Sequence, residues 1–208
     1  MLSNRVVNVL IASVGGQGGL TLSRTLAIAS VLSNYSVRTG ETLGMAQRFG
    51  SVLSFVRVGV EEEVYSPLFG LGEADYLICL ELIECVRALK YLSCEGGYAV
   101  VSNEVKPPIS ASLSGSKPTP KDELVSKIKG CLGNNLAVVP ARDIALKTGS
   151  VRASNMVLLG VFNYVSKLFK DEIVEEALKN LFKGNALETS LKAYYEGKTW
   201  ASVNLKTF

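Results

Sequence analysis

Apolar residues fall along this chain in short runs of strand length that alternate with longer segments of helical period. Arg5–Ala12 (RVVNVLIA) is rich in Val and Ile and empties into Ser13-Val14-Gly15-Gly16-Gln17-Gly18-Gly19. Leu20–Leu32, built of good helix formers, follows it, so strand, glycine turn and helix come in that order. Ser36–Thr39 predicts a second strand that closes an opening βαβ unit and leads into a polar loop over 41–51. Val52–Val58 (VLSFVRV) alternates for part of its length and stops at Gly59. With Glu61-Glu62-Glu63 as the turn and a short strand at Val64–Tyr65, it predicts a β-hairpin. Tyr76–Leu80 reads as a buried strand, Glu81–Tyr91 as a helix that brings Glu84 and Arg87 to one face, and Tyr98–Ser102 as the next strand. Lys106–Pro120, rich in Pro, Ser and Gly, predicts an extended surface connection. A helix over Lys121–Leu132, a strand at Leu136–Val139 and a helix from Pro140 through Lys147 come next. Beyond Arg152 the period is helical throughout: Asn155–Phe169, then Asp171–Phe182 with Asp171 as its N-cap, then Leu187–Glu196.

Strands alternating with helices predict one α/β domain over 1–208: a Rossmann-like, doubly wound, mainly parallel sheet with a β-hairpin in a core over 1–150, then a helical C-terminal segment over 151–208. Composition narrows the function. Of 208 residues, 48% are hydrophobic and 20% charged, enough to bury a sizeable core. A net charge of +3 without Lys/Arg blocks argues against nucleic acid. The longest apolar run, around Met156–Phe162, is far short of a membrane span. Arg5 and the apolar residues after it imitate a signal peptide, but Asn8 and the glycine turn make the segment a strand, and a cytoplasmic protein is expected. Cys79, Cys85, Cys94 and Cys131 match no cluster or zinc spacing, so buried free thiols are expected and no metal site. Histidine is absent, which removes the commonest general base and metal ligand.

The candidate chemistry lies at strand ends. Gly15, Gly16, Gln17 and Gly18 form a turn of the type that aims free N–H groups and a helix N-terminus at an anion. Against the dinucleotide pattern G-x-G-x-x-G the tight-turn position falls on Ser13, which weakens that match, although Glu41 lies near where a ribose-binding acid belongs. The plainer alternative is glycines that only let the first helix approach the sheet. Gln47 and Arg48 sit in the polar loop; Arg48 has the fork to grip a carboxylate or phosphate, or else pairs with Glu41 at the surface. Glu81 suits a helix start. Asn155, at the head of an apolar helix, is either a cap or a ligand to the site.

Taken together, VGGQGGLTLSRTLA, ETLGMAQRFGSVLSFVR, YSPL, GEADYLICLE with ELIECVR, and NMVLLG resemble the gamma-type domain of 2-oxoacid:ferredoxin oxidoreductases, from Val7 to Gly197. Gln47-Arg48-Phe49-Gly50-Ser51 is most similar to the indolepyruvate type, where this domain is the beta subunit. Ser13, Leu43, Lys117 and Ser190 depart from the usual pattern, and Leu43, in place of a His, puts a transferred binding role for its loop in question. The resemblance implies a subunit with no catalytic residue of its own. It works beside a large chain that carries thiamine diphosphate, Mg and 4Fe-4S clusters, with coenzyme A as co-substrate and ferredoxin reached through the complex. It also implies that the glycine turn, Glu41, Gln47, Arg48 and Asn155 serve the coenzyme or partner side, with a homodimer as another use of the polar loop. Two rivals stay open: a stand-alone nucleotide- or flavin-binding protein, and a dehydrogenase with Glu41 on the ribose.

Overall fold

A computed structural model describes residues 5–44, 50–106 and 119–205. Met45–Phe49, with Gln47 and Arg48, and most of the Lys106–Pro120 connection lie outside those residues. The chain runs β1 (Arg5–Val14), α1 (Gly19–Leu32), β2 (Ser36–Leu43), β3 (Ser51–Val60), β4 (Tyr76–Cys79) and α2 (Leu82–Ala88) with a 3-10 turn at Leu89–Tyr91. It continues through β5 (Tyr98–Ser102), α3 (Lys121–Leu132), β6 (Leu136–Val139), α4 (Ala141–Lys147), a 3-10 turn at Val151–Ala153, α5 (Ser154–Ser166), α6 (Asp171–Leu181) and α7 (Gly184–Asn204). One six-stranded sheet has the order β2-β3-β1-β4-β5-β6. β1, β4, β5 and β6 are mutually parallel, and β3 is antiparallel to both β1 and β2.

The α/β, doubly wound architecture is therefore as the pattern predicts, with the hairpin in a different place. β2 and β3 form it, and β3 inserts between β1 and β2, so the opening βαβ unit is split. Val64–Tyr65 is not a strand. After Val60 the chain leaves the sheet at Glu61 (φ 59°), the Val64 N–H donates to Ser36 Oγ at 3.1 Å, and Phe69 folds edge-on against Phe55 with ring centroids 5.0 Å apart. β2 extends to Leu43, so Glu41 belongs to a strand, opposite Ser54.

Each face of the sheet carries its own core. Val9, Ile11, Val56, Val58, Ile78 and Val100 meet α1 and α4–α7, while Leu10, Phe55, Leu77, Ala99 and Val101 meet α2, α3 and Phe69. β1 is buried on both faces because helices wind on both sides, which is why its sequence is a continuous apolar run. Cys79 and Cys85 are buried thiols, as expected, but Cys94 and Cys131 are exposed, one in the turn before β5 and one on the outer side of α3. No helix among the described residues is long and apolar enough to cross a membrane.

The helical segment departs from its pattern at three points, the first being that α7 runs over Gly184–Asn204, beyond both ends of the expected Leu187–Glu196. α5 ends at Ser166 with Lys167 left-handed (φ 51°), and Leu168–Phe169 continues as a buried connector. Asn163 holds it, accepting from the Phe169 N–H at 3.1 Å and donating to the Phe169 carbonyl at 3.0 Å. Asp171 is the first residue of α6 and caps nothing. Its carboxylate instead accepts from the Tyr194 hydroxyl at 2.6 Å and from the Lys198 ammonium, because α7 brings both across it. Burial alone would raise the Asp171 carboxyl, but these bonds outweigh it and hold its pKa below the usual value. The stabilisation this gives is present above the unfolded carboxylate range and is lost as pH falls through the lowered folded value. We expect Asp171→Asn to lower the melting temperature at pH 7, with a deficit that narrows as the pH is brought below about 4; a deficit independent of pH would contradict the ion pair as its source.

Candidate functional site

The glycine turn is fixed by its own glutamine. Gln17 Oε1 accepts from the Val14 N–H at 2.7 Å, the Gln17 N–H donates to the Val14 carbonyl at 3.1 Å, and Gln17 Nε2 reaches the Leu80 carbonyl at 3.5 Å. Gly16 (φ 95°) and Gly18 (φ 88°) occupy the left-handed region that favours glycine. A Cβ on Gly19 would lie 2.4 Å from Ser13 Oγ, so the serine at the tight-turn position fits only because glycine faces it. The Gly15 N–H donates to the Gly50 carbonyl at 2.9 Å, which ties the glycine turn to the residue that precedes β3. α1 then starts at Gly19 with no side-chain cap, leaving its first-turn N–H groups directed outward.

Above this turn lies a cavity of about 610 Å³, at the carboxyl ends of β1, β4 and β5. This is where the winding reverses: the chain leaves β1 through α1 on one face and β4 through α2 on the other. Open α/β sheets place their ligand crevice at that point. Gly16, Gln17, Gly18 and Asn155 line the cavity. Asn155 is 5% exposed and neither caps α5 nor points away; its Nδ2 donates to the Gly18 carbonyl at 3.1 Å, so it buttresses the turn. Gly15 is not among the lining residues, and its N–H is taken up by the Gly50 carbonyl. Glu41 is exposed on β2 and is not among the lining residues, since β3 separates its strand from β1.

Three cations that sequence reasoning passed over complete the site. Lys106 follows β5, Arg142 opens α4 and Arg152 lies in the 3-10 turn before α5, and all three line the cavity. Each follows a strand end or precedes a helix start, a positional signal that sequence alone could have offered. Arg142 is partly engaged by Glu104, 3.4 Å away. Leu80, Leu158 and Phe182 supply apolar wall. The arrangement can bind an anion through backbone N–H groups, a helix N-terminus and flexible cations, with apolar contact for the rest of a ligand. Below it, Glu81 caps α2, accepting from Ile83 and Glu84 N–H groups, and burial pushes its carboxyl above the usual range despite those bonds. Among the described residues no three His, Cys, Asp or Glu side chains gather into a metal-holding group.

A doubly wound sheet with an inserted hairpin, a glycine turn and a cationic cavity at its switch point defines an α/β ligand-binding or subunit domain. The pyruvate ferredoxin/flavodoxin oxidoreductase family model matches residues 8–200, and the chain belongs to this family. It is 37% identical over 192 residues to the indolepyruvate oxidoreductase subunit IorB of Archaeoglobus fulgidus, covering 92% of this chain and 93% of the relative. To the pyruvate/ketoisovalerate oxidoreductases common subunit gamma of Pyrococcus abyssi it is 29% identical, covering 88% and 90%. Among solved structures it is similar to the pyruvate oxidoreductase subunit PORC of Thermotoga maritima (TM-score 0.71, 21% identity, 94% and 96% covered). It also matches 2-oxoglutarate:ferredoxin oxidoreductase of Magnetococcus marinus (TM-score 0.73, 20% identity), covering 99% of this chain and 32% of that one. These structural likenesses concern the fold.

Proposed function

We propose that the chain is the non-cluster subunit of a 2-oxoacid:ferredoxin oxidoreductase complex acting on indolepyruvate or a related aryl pyruvate. In this reading a large partner chain holds thiamine diphosphate, Mg and the 4Fe-4S clusters and passes electrons to ferredoxin. Bound there, thiamine diphosphate supplies the carbanion chemistry of the oxidative decarboxylation. The contribution of this chain is to bind and orient. The observation that carries the proposal is the cavity in which the Gly16–Gly18 turn, Lys106, Arg142 and Arg152 converge, suited to the phosphates of coenzyme A. Asn155 keeps the turn in shape, and Gln47 and Arg48 serve assembly with the partner. Full-length similarity to a subunit named for indolepyruvate supports the choice of 2-oxoacid.

The test is viologen reduction with indolepyruvate, pyruvate and 2-oxoglutarate, each with coenzyme A. We expect the isolated chain to be colourless and inactive, and activity to appear on mixing with a cognate thiamine- and cluster-bearing subunit, greatest with indolepyruvate. Turnover by the isolated chain overturns the proposal. Arg48→Ala and Phe49→Ala are expected to leave the isolated chain folded and to weaken assembly in sedimentation. A second reading is a stand-alone nucleotide- or flavin-binding protein that holds its ligand on the glycine turn and the cations around it; micromolar binding of a nucleotide or FMN without any partner would select it.

A further inference from the structure

The first turn of α2 does more than start a short helix. An N-cap needs only to satisfy the second and third N–H groups, which Ser, Thr, Asp or Asn does. Glu81 does this and also reaches the Lys106 N–H, 25 residues further on, at 3.4 Å. Glu84 faces the other way. Its carboxylate accepts from Ser51 Oγ at 2.5 Å and from Arg87 at 2.6 Å, with only 4% of its side chain exposed. Ser51 is the neighbour of Gly50, whose carbonyl holds the Gly15 N–H. The Leu82 N–H donates to the Glu104 carbonyl at 2.8 Å. One hydrogen-bonded belt thus crosses the strand ends: Gly15 to Gly50–Ser51, to Glu84, to Glu81, to Lys106. Two carboxylates buried side by side carry a desolvation cost that a plain cap would avoid, and each is spent on a segment distant in sequence.

We propose that Glu81 and Glu84 are positioning residues of the cavity, holding the glycine turn, the Gly50–Ser51 start of β3 and Lys106 in one register. They touch no ligand themselves; they act through Ser51, Gly50 and Lys106. The proposal rests on the cavity being the coenzyme A site of the complex.

The experiment uses the complex co-purified with its partner subunit, measuring the KM for coenzyme A, kcat and the melting temperature. Ser51→Ala, an exposed change that spares the core, and Glu84→Ala are each expected to raise the KM for coenzyme A about 5-fold, the size of one ordinary net hydrogen bond. kcat at saturating coenzyme A should change less than about twofold. Glu84→Gln, which keeps an acceptor for Ser51, should restore most of the KM. The double variant Ser51→Ala/Glu84→Ala should be no worse than Glu84→Ala alone, because both break one contact. Arg152→Ala, a change in the cavity wall, is the control. If it raises KM while the Ser51 and Glu84 variants shift only the melting temperature, the belt is structural and the positioning role is overturned with the coenzyme site intact. If Arg152→Ala also leaves KM unchanged, the cavity is not the coenzyme site and both readings fall.

Discussion

Gly160→Ala and Gly197→Ala should each destabilise the protein by about 3 kcal/mol or more, although glycine to alanine inside a helix ordinarily stabilises by about 1 kcal/mol. The reason is the crossing of α5 and α7. A Cβ on Gly160 would lie 2.0 Å from the Tyr194 carbonyl oxygen, and one on Gly197 would lie 2.1 Å from that of Val157. Both obstacles are helix backbone, which has no rotamer with which to yield. The helices would have to separate, stripping contacts from Phe162, Ala193 and Tyr194, all fully buried. The Tyr194 hydroxyl, bonded to Asn163 at 2.8 Å and to Asp171, would move with them. Gly130 in α3 has nothing within 4 Å of the corresponding point, so Gly130→Ala should gain roughly 0.5–1 kcal/mol. Urea melts of the three variants give opposite signs if the crossing is as close as the structure has it. A neutral or stabilised Gly160→Ala would show that α5 and α7 lie further apart.

Gly18→Ala is the second large effect, and its comparison is Gly16→Ala. Both positions have φ near +90°, so each alanine carries backbone strain of about 1–2 kcal/mol. They differ in what the new methyl meets. At Gly16 there is open space, whereas at Gly18 the Cβ would sit 2.5 Å from Asn155 Nδ2. Gly18→Ala therefore displaces the Asn155 amide and breaks its bond to the Gly18 carbonyl, removing the buttress of the turn where the cavity is formed. A misplacement of about 1 Å in a binding site can cost on the order of 100-fold. We expect kcat/KM for coenzyme A in the assembled complex to fall by at least about 10-fold more for Gly18→Ala than for Gly16→Ala. The double variant Gly18→Ala/Asn155→Ala removes the obstacle and should recover part of the loss. Equal losses in stability with unchanged coenzyme affinity per folded molecule would mean that these glycines serve packing alone.

The close helix crossing and the Asn155 buttress were both beyond the reach of a linear reading. Asn155 and Gly18 are far apart in the chain, and nothing in NMVLLG or GGQG says that one amide supports the other. Lys106, Arg142 and Arg152 come from separate connections: their places beside strand ends and helix starts were legible, but nothing local says that the three meet at one cavity. Asp171 carries every local sign of an N-cap, but α7 presents Tyr194 and Lys198 to it, and the long-range bonds win. The hairpin was misplaced because Glu61-Glu62-Glu63 has the composition of a turn. β2 was cut short at Thr39 because Gly40, Glu41 and Thr42 lack an apolar signature; an edge strand needs none, since backbone bonds to β3 hold it.

What the chain determined unaided is what depends on neighbours in sequence. α3, α4, β5 and β6 fall where period and breakers put them, and α1 begins one residue early. The α/β class, the family and the location of the glycine turn at a strand end are legible because strand period, helix period and turn chemistry are properties of a few consecutive residues. Folding in three dimensions decided the strand order, the split of the opening unit by β3, the place of Glu41 outside the cavity and the cations that ring it. Those are set by which backbone edges find each other and by how closely two helices can pass, and such contacts join residues whose separation along the chain leaves no local trace.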